Sequence, residues 1–220
     1  LNYCSPMINN FGMCEAVEKL LYLEVPRRAE YIRVIMGELS RIGDHLTAVA
    51  AMLKEIGAMT PFLYLMEARE WLWEHMAHIS GARLTHSYGR IGGVIRDLDA
   101  EWIRRCNEII DTSIYPMIQR THGLIDTNRI FIDRSRGTGV LSQGDAVNLG
   151  FTGPILRSTG VRRDVRVDNP YGAYAEFEGV WKVPIGKYGD NYDRYFVRMR
   201  EMEESVKIVR AAFEGLPEGP

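Results

Sequence analysis

A mainly α-helical protein, a bundle of long helices dressed with irregular loops and little β structure, is what this sequence predicts. Three observations carry that expectation. Apolar residues recur at helical spacing over two long stretches, residues 28–56 and 190–213. Glycine and proline recur between residues 128 and 187, where the chain changes character. No internal repeat or low-complexity segment points to a solenoid or an array. The expected organisation is one helical core: helices over 1–126 with a glycine-rich loop near 87–94, a loop-rich cover over 127–188, and a long helix over 189–215.

The elements follow in order. Met13 to Leu23 places Val17, Leu20, Leu21 and Leu23 among Glu15, Glu18 and Lys19, which predicts a short helix ended near Pro26. From Arg28 to Ile56, Ile32, Ile35, Met36, Leu39, Ile42, Leu46, Val49, Ala50 and Leu53 share one helical face. At about 1.5 Å per residue that helix is a rod of roughly 43 Å. Gly37 and Gly43 lower its intrinsic propensity and therefore mark close approach by neighbours. Gly57 closes it, and Thr60-Pro61 reads as an N-cap followed by a first-turn proline, opening a third helix to about Ile79. Ser80-Gly81 breaks that helix, and Ser87 to Val94 is too glycine-rich to continue helically. A fourth helix spans Ala100 to about Leu124, with a kink expected at Pro116. In the cover, a helical turn is expected at Gln143 to Leu149 and a strand at Trp181-Lys182-Val183. Asp190 reads as the N-cap of the last long helix, which carries Tyr192, Tyr195, Phe196, Met199, Met202, Val206, Val209 and Phe213.

Composition excludes several classes of function. Hydrophobic residues at 46% supply a continuous core, while 25% charged residues and a net charge of -2 create no global field for nucleic acid or an anionic membrane. The longest purely apolar run, Ala48 to Leu53, falls far short of the roughly 20 residues a spanning helix needs. Cys4, Cys14 and Cys106 form neither a C-x-x-C pair nor a zinc cluster, which favours a reducing compartment. The opening lacks a starting Met and a leader pattern, and the last residues resemble a linker, so an excised segment of a longer chain is expected.

Candidate chemistry is sparse. His75 and His78 share a helical face, with Glu74 four residues before His78 and His86 after a loop; the spacing matches no H-E-x-x-H pattern, and surface or interface histidines are the plainer reading. Gly89, Gly92 and Gly93 among Tyr88, Arg90 and Arg96 could converge on an anion, but the spacing is neither a dinucleotide nor a Walker fingerprint. A tight loop with Arg90 paired to a buried carboxylate fits better. Glu38, Arg41, Asp44 and His45 read as a solvated helix face unless other helices cover it, in which case they must pair and can relay protons. Glu55, at a helix C-terminus, opposes the macrodipole there.

Several stretches, in this order, carry a resemblance: Leu1-Asn2-Tyr3, Ala16 to Leu21, Pro26 to Val34, Gly57-Ala58-Met59-Thr60-Pro61-Phe62, Ser80-Gly81-Ala82-Arg83, Tyr88 to Val94 and Gly189 to Tyr195. Together they resemble the quinone-site D subunit family of respiratory complex I, NADH:quinone oxidoreductase, which is related to the nickel-iron hydrogenase large subunit. The resemblance implies that Tyr3 lines the deep end of a quinone chamber and hydrogen-bonds the headgroup. A phenol of pKa about 10 holds its proton at neutral pH and is re-protonated through a relay. The family's acidic relay residue, usually aspartate, falls on Glu55, and its histidine partner lies upstream of this chain. Asn2 stands where the family usually has aspartate. Met59 and Phe62 would belong to the apolar chamber wall, and Arg83, Arg90 and Arg194 to core organisation and interfaces.

The resemblance further implies that quinone is a substrate, that this chain holds no cofactor, that an iron-sulfur cluster sits on an adjoining small subunit, and that NADH is oxidised elsewhere in the complex. Implied partners are that small subunit, adjacent peripheral-arm subunits and a membrane-arm subunit where quinone enters. Implied location is peripheral, on the cytoplasmic side of the bacterial inner membrane. With only Cys4 and Cys14 where a hydrogenase would place its first cysteine pair, no nickel-iron centre is expected. The alternatives are the large subunit of an energy-converting hydrogenase or related dehydrogenase, a non-catalytic helical assembly module, and metal-dependent hydrolysis through His75, His78 and His86.

Overall fold

The computed structural model describes residues 3–219. In chain order, α1 (Pro6–Leu21), α2 (Arg27–Glu55) and α3 (Met59–Ser80) lead to a hairpin of β1 (Gly89–Arg90) and β2 (Gly93–Val94). Then α4 (Ala100–Ile109) passes through a π-helical turn, Ile110–Ile114, into α5 (Tyr115–Ile125). Short helices α6 (Arg129–Ser135), α7 (Gln143–Asn148), α8 (Gly153–Ser158) and α9 (Val165–Asp168), and a 3-10 turn at Tyr174–Phe177, punctuate the loops before α10 (Asn191–Glu214).

The fold is organised around α2, which packs along α3 on one side and α10 on the other, with α1 across its N-terminal half. Every residue from Tyr31 to Ser40 is buried, so this helix has no solvated face over that stretch. The expected apolar positions Ile35, Met36, Leu39, Ile42, Leu46, Val49 and Leu53 are fully buried, and so is Glu38. For the row Glu38, Arg41, Asp44 and His45, the covered alternative holds in place of the solvated one: Glu38 and His45 are buried and paired with groups of the loop cover and α10. Gly43 does admit a close neighbour, since a Cβ there would stand 3.4 Å from the Trp73 indole nitrogen.

Boundaries differ from the sequence reading where local chemistry is easily misweighted. The first helix starts at Pro6, seven residues before Met13, with proline in its first turn and Met7 and Phe11 buried beneath it. The third helix starts at Met59 after Ala58, so Thr60 is not its cap. Trp181 to Val183 is not a strand: Trp181 is buried through its ring, and the Lys182 amide bonds the Glu204 carboxylate at 2.8 Å instead of a sheet partner. Pro116 produces a π turn in place of a simple kink. Proline lacks an N–H and its ring crowds the carbonyl four residues back, and the wider turn lets the Tyr115 amide reach the Ile110 carbonyl. Asp190 caps α10 as expected, its side chain accepting the Asp193 amide at 2.9 Å.

The cover is pinned to α10 at Gly189. Its φ is +65°, and a Cβ there would come within 2.2 Å of the Leu141 carbonyl oxygen. Its own carbonyl accepts the Leu141 amide at 3.0 Å, and its amide donates to Ser158 at 3.0 Å. Gly189→Ala is expected to cost about 2 kcal/mol or more of stability, from left-handed backbone strain plus the clash. Urea unfolding of the variant should show a lowered midpoint; an unaltered midpoint would contradict this packing.

Candidate functional site

The sequence-predicted residues occupy two places. Tyr3 precedes α1 and is 66% exposed. Its neighbour Cys4 lies where the charges of Asp44 on α2 and Arg69 on α3 act on it, although burial is the larger influence raising that thiol. Asn2 lies outside the described residues. Glu55, Met59 and Phe62 instead cluster at the α2–α3 corner, where Glu55 and Met59 are exposed and the half-buried Phe62 ring lies 5.6 Å from the Lys54 ammonium. From Asp44 to Glu55 the helix advances about 16 Å at about 1.5 Å per residue.

The three arginines separate in role. Arg83 is exposed and pairs with Glu70. Arg90 is also exposed and bonds Ser87, correcting the expectation that it meets a buried carboxylate. That part belongs to Arg33, whose guanidinium meets the buried Glu18 at 2.8 and 2.5 Å and also donates to the carbonyls of Arg90 and Gly93. The Gly92 amide donates to Glu18 at 2.7 Å, so the anion this glycine loop receives is the protein's own carboxylate. Arg194 ties the cover to α10 through the carbonyls of Gly139 at 2.6 Å and Gly189 at 2.9 Å. The histidines do not converge: His75 is buried and stacked on Trp102 at 4.2 Å, His78 is exposed with Nδ1 on the Glu74 carbonyl, and His86 is buried elsewhere. Among the described residues no group of three such side chains assembles a metal site.

Beneath these surface positions runs a chain of buried charges that sequence reasoning raises only as a contingency. Glu38 accepts hydrogen bonds from Arg166 at 3.0 Å to both oxygens, from the Tyr174 hydroxyl at 2.6 Å, from Ser205 at 2.6 Å and from Arg41 at 3.3 Å. Arg166 also meets Asp164 at 2.7 and 2.9 Å and lies 4.2 Å over the Trp181 ring. Arg157 stands 3.6 Å from Asp164 and 2.7 Å from Glu201, and Glu201 meets His45 Nε2 at 2.7 Å. His45 Nδ1 is 3.8 Å from Asp44, whose charge also acts on Cys4.

Local sequence explains how the cover delivers its arginines. Asp164 caps the single turn of α9 by accepting the Arg166 amide at 3.0 Å, which fixes Arg166 beside it. Thr152-Gly153-Pro154 opens α8, whose last turn carries Arg157. Burial alone would raise the Glu38 carboxyl, yet Arg166, Arg41 and the Ser205 and Tyr174 hydroxyls outweigh it and hold it at about 2. Glu201 is likewise pushed up by burial and pulled down further by His45 and Arg157, to about 2. The arrangement keeps both glutamates ionised in an interior that otherwise favours their neutral form.

The structure is thus a helical core with a loop cover held on by the buried arginines Arg157 and Arg166. Residues 55–220 match the model of the respiratory-chain NADH dehydrogenase 49 kDa subunit, and the chain belongs to that family. Among its relatives, the D subunit of NADH-quinone oxidoreductase from Pelobacter propionicus is 52% identical over 221 residues, covering 100% of this chain and 54% of that protein. The D subunits of the same oxidoreductase from Myxococcus xanthus and Desulforamulus reducens are 50% and 44% identical over 220 residues, covering 100% of this chain and 52% and 59% of their own lengths. The chain thus spans about half the length of the relatives it matches.

Two outcomes follow from the charge chain. Glu38→Ala leaves Arg166 buried with half its partners removed and should destabilise by about 3–5 kcal/mol; chemical denaturation measures it, and a loss under about 1 kcal/mol would mean the pair contributes little. Because Glu38 and Glu201 are held near 2 in the folded protein, against 4.5 for the free group, their stabilisation is full above about pH 4.5 and is lost as pH falls toward 2. Thermal melts of Glu201→Gln should accordingly lose part of the wild type's acid dependence in that window.

Proposed function

We propose that this chain is part of the quinone-reduction module of a proton-pumping NADH:quinone oxidoreductase and forms one wall of its quinone chamber. Family membership is the observation that supports the reading, together with the order of the matching stretches from Tyr3 to Tyr195. Tyr3 hydrogen-bonds the quinone headgroup and delivers one of the two protons that accompany two electrons. Its exposed side chain, ahead of α1, is free to face a ligand or a neighbouring subunit. Glu55 serves as the acidic relay residue, with Met59 and Phe62 giving apolar wall at the same corner. Arg83 and Arg90 face partners from the surface, while Arg194 holds the cover in place.

In this reading the chain binds no cofactor. Electrons arrive from an iron-sulfur cluster on the adjoining small subunit, and NADH is oxidised elsewhere in the complex. Adjacent peripheral-arm subunits and a membrane-arm subunit complete the chamber on the cytoplasmic side of the bacterial inner membrane. No helix of the described residues is long and apolar enough to cross a membrane, which accords with a peripheral position. The family match gives no support to the hydrogenase alternative.

Tyr3→Phe in the assembled enzyme removes the phenolic proton while keeping ring volume. Quinone reductase activity should fall about 100- to 10,000-fold, the range of a lost general acid, with NADH oxidation by an artificial acceptor unchanged. Full activity with short-chain quinone would refute the proton-donor role.

A further inference from the structure

Glu55, the acid that the functional reading assigns to the relay, lies far along α2 from the acid that meets the Tyr3 segment. The charges that act on Cys4, one peptide bond from Tyr3, are those of Asp44 on α2 and Arg69 on α3. Adjacent residues stand about 3.8 Å apart between Cα atoms, so the acid of α2 that shares the neighbourhood of Tyr3 is Asp44. Glu55 is about 16 Å further along the same helix. Each quinol formed takes up two protons, and a tyrosine that gives one away must be re-protonated from groups within its reach.

Behind Asp44 a buried histidine has one nitrogen held and the other open. His45 Nε2 stands 2.7 Å from a Glu201 oxygen. Because Glu201 is held at about 2, it is ionised at neutral pH and can only accept, so Nε2 carries the hydrogen. The lone pair of the neutral ring is thereby left on Nδ1. Nδ1 is buried, finds no hydrogen-bond partner among the described residues, and lies 3.8 Å from the half-buried Asp44. Closing that gap by about 1 Å makes a hydrogen bond. An open buried nitrogen is a cost that a purely structural histidine avoids; Glu38, by contrast, is answered on both oxygens. Arg157 from α8 meets Glu201, and the charge of Arg198 from α10 acts with those of Glu201 and Asp44. The ring can therefore gain or lose a proton without leaving either carboxylate unpaired.

We propose that His45 and Asp44 form an inner proton relay to Tyr3, beside Glu55. An imidazolium at His45 passes its Nδ1 proton to Asp44, and Asp44 passes it to the phenolate left when Tyr3 has given its proton to the reduced quinone. The ring returns to its neutral form with Nε2–H on Glu201, and solvent re-protonates it between turnovers. The two electrons come from the iron-sulfur cluster of the adjoining subunit. Both residues act through Tyr3 and touch no substrate, and the inference rests on the quinone-chamber reading above.

The test is quinone reductase activity of the assembled enzyme with NADH and a short-chain quinone, from about pH 5 to 8, the range in which histidine titrates. His45→Gln keeps an N–H for Glu201 but carries no mobile proton, and Asp44→Asn keeps the shape of the carboxylate but cannot pass one on. Each should lower kcat about 100-fold with KM unchanged, the low end of what a proton-transferring group contributes. Each should also flatten the fall in rate that the wild type shows as pH rises. NADH oxidation by an artificial acceptor should stay at the wild-type level, which a merely structural defect would lower. If His45→Gln does not assemble, Asp44→Asn, at a half-buried position, decides alone. An unaltered kcat or pH profile, or an acceptor rate that falls in step with quinone reduction, would overturn the relay. Full activity in Tyr3→Phe sinks the quinone-chamber reading itself; a loss in Tyr3→Phe with none in these two variants removes the relay only.

Discussion

The carboxylate of Glu38 is the constraint around which the rest of the chain is arranged. It lies fully buried in the middle of α2, where an ionised group without partners is prohibitively unfavourable. Four groups answer it from α2 itself, α9, the 3-10 turn and α10: Arg41, Arg166, Tyr174 and Ser205, with Asp164 orienting Arg166 from behind. Satisfying one side chain therefore fixes the positions of two helices and of the loop segment between residues 157 and 177. Glu201 repeats the device on α10, with Arg157 and His45 as its partners. A fully paired network of this kind specifies a single arrangement more than it adds net stability.

This explains why a cover with so little regular structure stays in place. Apolar contact alone does not fix the register of short helices and turns, because hydrophobic attraction is non-directional. Two buried arginines, aimed by an Asp cap and by the short α8, provide the direction. The cation at Arg166 is itself stacked against Trp181, so the ion pair and the apolar packing of the cover share one residue.

The long helices are legible in the sequence because their apolar residues follow a 3.6-residue period, and Asp190 and Gly57 mark ends with chemistry that acts locally. The start of α1 escapes a periodicity reading because its first two turns, Pro6 to Gly12, mix asparagine and glycine with few periodic apolar positions; only Met7 and Phe11 are buried there. Glu38 is easily misread since polarity looks the same facing solvent or facing a buried arginine 128 positions away. One signal points the right way: Glu38 stands three residues after Ile35 and four before Ile42, squarely within the apolar repeat. The choice between Arg33 and Arg90 as the partner of Glu18 is hidden for the same reason, as pairing across a chain is not written in local spacing. Tyr3, Glu55, Met59 and Phe62 come from resemblance and from no local pattern; Tyr3, Glu55 and Met59 are exposed.

A double-mutant cycle on Arg157 and Glu201, each changed to alanine singly and together, tests most directly whether buried arginines from the cover lock the helix pair. The expected coupling is about 1.5–3 kcal/mol in unfolding free energy, since either single change strands the other charge in the interior. Additivity of the two changes to within about 0.5 kcal/mol would contradict it.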